Sequence, residues 1–166
     1  MATLVAAIAW ISRLWAIAGG VVLLAVMLMT VTSVAMRYTF GSPILGDFEL
    51  VEMGTAIAAF AFLPYAQLTR GNVAVDVFTT KAPPRLQAGL TAIGSLALVL
   101  IAALLLWRMT LGGHDFYRYN EVTTNIGVPR WWAFPPILLS LALLVLTSLV
   151  TLAEDLGALG TGGESS

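Results

Sequence analysis

Four uncharged stretches dominate this chain and decide the solvent in which it can fold. They span residues 14–36, 53–69, 86–107 and 131–153, and none contains Asp, Glu, Lys, Arg or His. At a helical rise of about 1.5 Å per residue, roughly 20 apolar residues match the ~30 Å hydrocarbon core of a bilayer. The sequence therefore predicts an all-α integral membrane protein with four transmembrane helices joined by short loops.

The composition supports the same fold class. Hydrophobic residues make up 59% of the chain and charged residues 10%, against about 25% charged in a typical soluble domain. The net charge is −1 and no basic tract is present to attract nucleic acid. We expect one transmembrane domain over residues 1–166, with spans at about 14–36, 44–69, 85–107 and 131–153 and a flexible tail at 157–166.

The first residues are apolar but lack the basic segment of a cleaved signal peptide, so we expect the first stretch to be a retained span. Residues 1–12 either extend that helix or lie in the membrane interface with Trp10 as an anchor, and extension is favoured.

Farther along, Ser42 and Pro43 are typical of a helix N-cap and first helical residue. They place the start of the second span at about residue 44, and Pro64 within it predicts a kink.

Polar side chains follow one face of the predicted second helix. Carboxylates lie near one end and an amide near the other, at steps of three and four residues: Glu49, Glu52, Ala56, Ala59, Leu63 and Gln67. Three interpretations remain open at this point. The face packs against a partner or a neighbouring span, the carboxylates lie in the headgroup layer near a helix N-terminus, or the stripe is a proton or cation site.

The residue inventory argues against several chemistries. The chain has no cysteine for disulfides or thiolate ligands, and its one histidine, His114, leaves a membrane haem without the usual pair of axial ligands. The first, third and fourth stretches contain no ionisable residue of the kind a proton-coupled exporter needs. No nucleophile–base pair, metal-ligand cluster or phosphate loop is evident. We therefore expect no catalytic site, metal or cofactor.

The loop after the second span contains a predicted structural turn. Arg70 complements the C-terminus of the second helix, and Gly71 can take the left-handed conformation that ends it. Asp76 can cap a following short helix or pair with Arg70. This turn would fix how the second and third spans leave the membrane.

Charge does not orient the chain in the membrane. If both termini share a side, four basic residues lie on each side, so the positive-inside rule gives a tie. The two groups are Arg13, Arg70, Lys81 and Arg85 on one side, and Arg37, Arg108, Arg118 and Arg130 on the other.

Short motifs occur in a fixed order around the four stretches. They are Arg37-Tyr38-Thr39-Phe40-Gly41, Glu49-Leu50, Arg70-Gly71-Asn72-Val73-Ala74-Val75-Asp76, Pro83-Pro84-Arg85, and Ile126-Gly127-Val128-Pro129-Arg130-Trp131 followed by Pro135-Pro136. In order and spacing the chain resembles the small, four-span (Q-type) membrane subunit of tripartite ATP-independent periplasmic (TRAP) transporters. Asn72 departs from a histidine that is frequent in that family.

The resemblance implies a small, non-catalytic scaffold subunit in a bacterial inner membrane with both termini cytoplasmic. Its implied partners are a periplasmic protein that captures an organic acid and a large membrane subunit that moves the acid by a sodium-driven elevator motion. The residues expected to be structural or to face a partner are Arg37, Glu49, Glu52, Gln67, Arg70, Gly71 and Asp76. Two alternatives are a haem-free membrane anchor for an oxidoreductase and a self-associating structural protein.

Overall fold

The computed structural model describes residues 2–69 and 84–161. Over these ranges the chain forms four long helices, and each contains a segment that is long and apolar enough to cross a membrane. The described part of the chain is therefore an all-α membrane protein with four spans, which confirms the predicted fold class. The helices are α1 (Ala2–Phe40), α2 (Asp47–Leu68), α3 (Pro84–Arg118) and α4 (Phe134–Thr161).

Two of the helices extend well beyond their uncharged stretches. Helix α1 is 39 residues long and continuous from its first turn, so residues 2–12 extend the first span. At 1.5 Å per residue it measures about 58 Å, which exceeds the hydrocarbon thickness. Helix α3 continues past Arg108 to Arg118 and includes His114, which the sequence pattern placed in a loop. These side chains are exposed, and charged residues at a solvated helix end do not stop the helix.

Helix α2 begins at Asp47, three residues later than predicted, and Ser42 and Pro43 do not start it. The start is set instead by Gly46, whose φ of 75° takes the left-handed conformation. Next to it, Asp47 Oδ2 accepts a hydrogen bond from Ser33 Oγ of α1 at 2.6 Å, and the same hydroxyl accepts from the Ile44 N–H at 3.2 Å. One serine of α1 thus holds the turn that leads into α2.

The helices pack in a row rather than in a closed bundle. Helix α1 packs against α2, α2 against α4, and α4 against α3. Helix α1 also makes a smaller contact with α4, but within the described ranges α3 contacts neither α1 nor α2. The order is therefore α1–α2–α4–α3, and α2 and α4 are the inner helices.

Small residues bring α1 and α2 close together. A Cβ placed on Gly19 would lie 2.7 Å from the Ala61 Cβ, and Gly54 faces Val26 in the same way. Where α4 packs against α2 on one side and α3 on the other, the packing is mostly aliphatic. Its buried members are Ala102, Ala133, Ile137, Leu141 and Leu144, with Met53, Ile57 and Phe60 of α2 against them.

Candidate functional site

Helix α4 carries a line of polar side chains that point into the protein. We call this line the polar seam: Ser140, Thr147, Ser148, Thr151 and Asp155, each no more than 5% exposed. The spacing keeps them on one face of the helix. Hydrocarbon offers no hydrogen-bond partners, so such a face must lie against other helices.

Each of the other three helices donates one side-chain hydrogen bond to the seam. The three bonds are Trp15 Nε1 to Ser140 Oγ at 2.8 Å from α1, Gln67 Nε2 to Thr151 Oγ1 at 2.9 Å from α2, and Ser95 Oγ to Asp155 Oδ2 at 2.5 Å from α3. Helix α4 is therefore the common partner that joins the row by directional bonds as well as by packing.

Some seam hydroxyls are satisfied by their own helix. Ser140 Oγ donates to the Pro136 carbonyl at 2.8 Å, and Thr147 Oγ1 donates to the Leu144 carbonyl at 3.0 Å. The Ser148 hydroxyl has no hydrogen-bond partner, although it is fully buried. Most of the hydrogen-bonding capacity of the seam is thus used within the protein.

A second polar contact joins α2 to the α3–α4 loop (residues 119–129). The Glu49 carboxylate accepts from the Asn125 backbone N–H at 2.8 Å, from the Asn125 side-chain Nδ2 at 3.1 Å and from the Ile126 N–H at 3.3 Å. Glu49 is only 8% exposed. Its charge therefore anchors a loop rather than facing lipid or water.

The loop itself is a tight turn that fits this carboxylate. Its Thr123 N–H donates to the Val128 carbonyl at 2.9 Å, and the Val128 N–H donates to Thr123 Oγ1 at 3.0 Å. Gly127 has a positive φ of 66° inside the turn. The Ile126 side chain lies directly over Gly46, where an added Cβ would clash with it. A larger residue at position 46 would therefore force the loop or the start of α2 to shift.

The structure separates the candidate residues of α2 into different environments. Glu49 and Gln67 are buried and bond to other parts of the chain, whereas Glu52 is exposed. The sequence predicted one polar stripe along α2. In the structure that stripe lies at the border between the side of α2 that faces the protein and its uncovered side, so its members differ in exposure.

The remaining candidates are less constrained. Arg37 is exposed in the last turn of α1, while Arg70, Gly71 and Asp76 lie outside the described residues.

Sequence reasoning missed Ser95, Asp155 and the polar seam as a whole. The signal was present, since four polar residues recur at helical steps within the predicted fourth span and Asp155 follows just beyond it. Within the described ranges no three His, Asp or Glu residues are grouped as metal ligands would be.

Most of the chain matches a known protein family. The family described as tripartite ATP-independent periplasmic transporters, DctQ component, matches residues 26–158, which is most of the 166-residue chain. The match runs from the middle of α1 through nearly all of α4 and includes the polar seam. No curated protein and no solved structure matches the chain significantly.

Proposed function

We propose a function for this chain from the family to which it belongs, the DctQ components of tripartite ATP-independent periplasmic transporters. It is the small, non-catalytic scaffold subunit, and it braces a large, elevator-type membrane subunit that imports organic acids with a sodium gradient. A periplasmic binding protein delivers the acid. The chain lies in the bacterial inner membrane with both termini in the cytoplasm, so the α3–α4 loop and the Glu49 anchor face the periplasm.

The observation that carries this proposal is how the polar groups of the spans are used. A binding site needs polar groups that converge on a cavity, and an ion path needs ionisable groups along the membrane interior. In the described helices, Trp15, Gln67 and Ser95 instead bond to the polar seam. Such interhelical bonds hold a fixed arrangement of helices, which is what a brace requires.

The two alternatives from the sequence, an oxidoreductase anchor and a self-associating structural protein, have less support. The family match gives no support to an anchor for an oxidoreductase. A self-associating structural protein would need a face that pairs with itself, and membership of a tripartite transporter family favours a different partner. We therefore retain the scaffold subunit alone.

Affinity purification tests the proposal directly. The full-length chain is tagged at one end, expressed in its native host and extracted in mild detergent. We expect it to co-purify with a many-span membrane protein. An unrelated four-span protein with the same tag serves as the control. Recovery of a cofactor-bearing enzyme, or of this chain alone, would contradict the proposal.

A further inference from the structure

One side of α2 stays uncovered although α2 is an inner helix. Its neighbours α1 and α4 cover the other sides. The exposed side carries five residues at steps of four, three, four and three, which we call the α2 stripe: Phe48, Glu52, Thr55, Ala59 and Phe62. Steps that average 3.5 residues are the spacing with which one helix packs along another.

The α2 stripe differs from the faces that lipid can cover. The exposed faces of α1 and α3 present large aliphatic side chains, such as Val21, Leu24 and Leu28 on α1, and Leu96, Leu100 and Leu104 on α3. Exposed hydroxyls there are satisfied locally, as Thr30 is by the Val26 carbonyl at 2.8 Å. The α2 stripe combines a carboxylate with two small residues four positions apart, and small residues at this spacing let a second helix approach closely in membranes.

Glu52 is the decisive member of the stripe. It is exposed and makes no hydrogen bond or ion pair with any described residue. Phe48, one turn earlier on the same face, is 74% exposed, and Thr55 and Ala59 follow Glu52 along the helix, which lies within a candidate membrane span. A carboxylate within an apolar face is costly in lipid and is usually paired with a cation.

We infer that the α2 stripe is the docking face for one transmembrane helix of the large subunit. That helix carries a Lys or Arg at the level of Glu52 and packs closely against Thr55 and Ala59. The inference rests on the proposed function and adds the face and the chemistry of the contact. A helix with a cation can pair with the Glu52 carboxylate, which lipid cannot do. A second copy of this chain is a poorer partner, because its own α2 stripe would bring two carboxylates together.

Cross-linking tests which molecule covers the stripe. The chain has no cysteine, so Thr55→Cys and Ala59→Cys each give a unique site for a photoactivatable thiol reagent in membranes that contain the whole transporter. Leu24→Cys on α1 and Leu100→Cys on α3 are the controls. We expect the α2 variants to form an adduct with the large subunit and the controls to give only background.

Charge substitution at Glu52 tests the chemistry of the contact. Glu52→Lys is expected to lower the yield of co-purified large subunit about tenfold, the equivalent of roughly 1.4 kcal/mol, and Glu52→Gln to lower it less. Glu121→Lys, on the exposed α3–α4 loop, should leave the yield unchanged. Suppressors of Glu52→Lys should replace a Lys or Arg in a membrane helix of the large subunit with an acidic residue.

Each outcome separates the inference from the proposed function. If the wild-type chain co-purifies with the large subunit while Thr55→Cys and Ala59→Cys give only background or a homodimer adduct, the docking face is wrong and the scaffold function stands. Full recovery with Glu52→Lys would likewise overturn the charge pairing. If the wild-type chain never recovers the large subunit, the proposed function itself fails. The two cysteine variants keep the test valid if Glu52→Lys does not fold.

Discussion

Single residues hold parts of this chain that are far apart in sequence. Glu49 in the first turn of α2 accepts hydrogen bonds from Asn125 and Ile126, 76 and 77 positions later. The sequence singled out Glu49 because it lies on a helical stripe of polar residues. It did not identify the partners, because two of the three bonds come from backbone N–H groups, which nearly every residue has, and only the third comes from a side chain, that of Asn125.

Removal of the Glu49 carboxylate should destabilise the protein. Glu49→Ala leaves the Asn125 and Ile126 N–H groups without their acceptor, and we expect a loss of about 1–3 kcal/mol in unfolding free energy. Unfolding of the purified chain in detergent measures the effect. Glu121→Ala is the matched control, since Glu121 is exposed in the same loop. An unchanged stability for Glu49→Ala would show that the loop is held by other contacts.

Gly46 should tolerate substitution less well than Gly41. Both have a positive φ, 75° and 74°, so alanine at either position is strained by about 1–2 kcal/mol. Only Gly46 also lies against the Ile126 side chain, whereas Gly41 has open space around it. Thermal unfolding in detergent should therefore give a larger loss for Gly46→Ala than for Gly41→Ala. Equal losses would mean that the contact with Ile126 is not close.

The sequence predicted the number and type of the helices better than it predicted where they end or which helices pack against each other. Uncharged stretches identify four spans because hydrocarbon excludes charge, but they do not mark where a helix stops once it reaches water. Helix α3 accordingly runs on to Arg118. The row order could not be predicted, because lipid and a neighbouring helix both favour apolar side chains. The polar seam of α4 is the exception, since buried hydroxyls indicate a protein neighbour.

The bond between α2 and α4 should contribute measurably to stability. Thr151→Val keeps the shape of the side chain but removes the oxygen that accepts from Gln67 Nε2. Interhelical hydrogen bonds in membranes contribute about 0.6–2 kcal/mol, and we expect a loss in that range on unfolding in detergent. Thr30→Val on the exposed face of α1 is the control. Equal stability of the two variants would show that the Gln67–Thr151 hydrogen bond adds nothing measurable to the stability of the protein.

The segment between α2 and α3, for which the sequence predicts a structural turn, gives a prediction from sequence alone, since Arg70, Gly71 and Asp76 lie outside the described residues. Gly71→Val or Asp76→Ala should lower the amount of assembled transporter, as the loss of a helix cap of about 0.5–2 kcal/mol would do. Quantitative co-purification measures this, and the preference among transported acids should not change. A variant that assembles normally but transports a different acid would place this loop in the transport path.

The described ranges form a row of four helices in which α1 packs mainly against α2, while α4 bonds to all three other helices. This arrangement leaves one side of α2 uncovered. The sequence identified the number of spans and, through ordered motifs, the transporter family. It did not identify which face meets a partner, because that depends on which residues the row leaves exposed. In the sequence Glu49 and Glu52 lie on the same predicted stripe, and only the fold shows that Glu49 is buried and Glu52 exposed.

Reconstitution in liposomes tests the central claim that this chain braces a transporter and does not itself transport. Uptake of a panel of small carboxylates is measured with a sodium gradient for three preparations: the chain alone, the large subunit with the binding protein, and all three components. We expect no sodium-dependent uptake by the chain alone, full uptake by the three together, and reduced uptake when this chain is omitted. Robust sodium-dependent uptake by the isolated chain, or full uptake without it, would contradict the account.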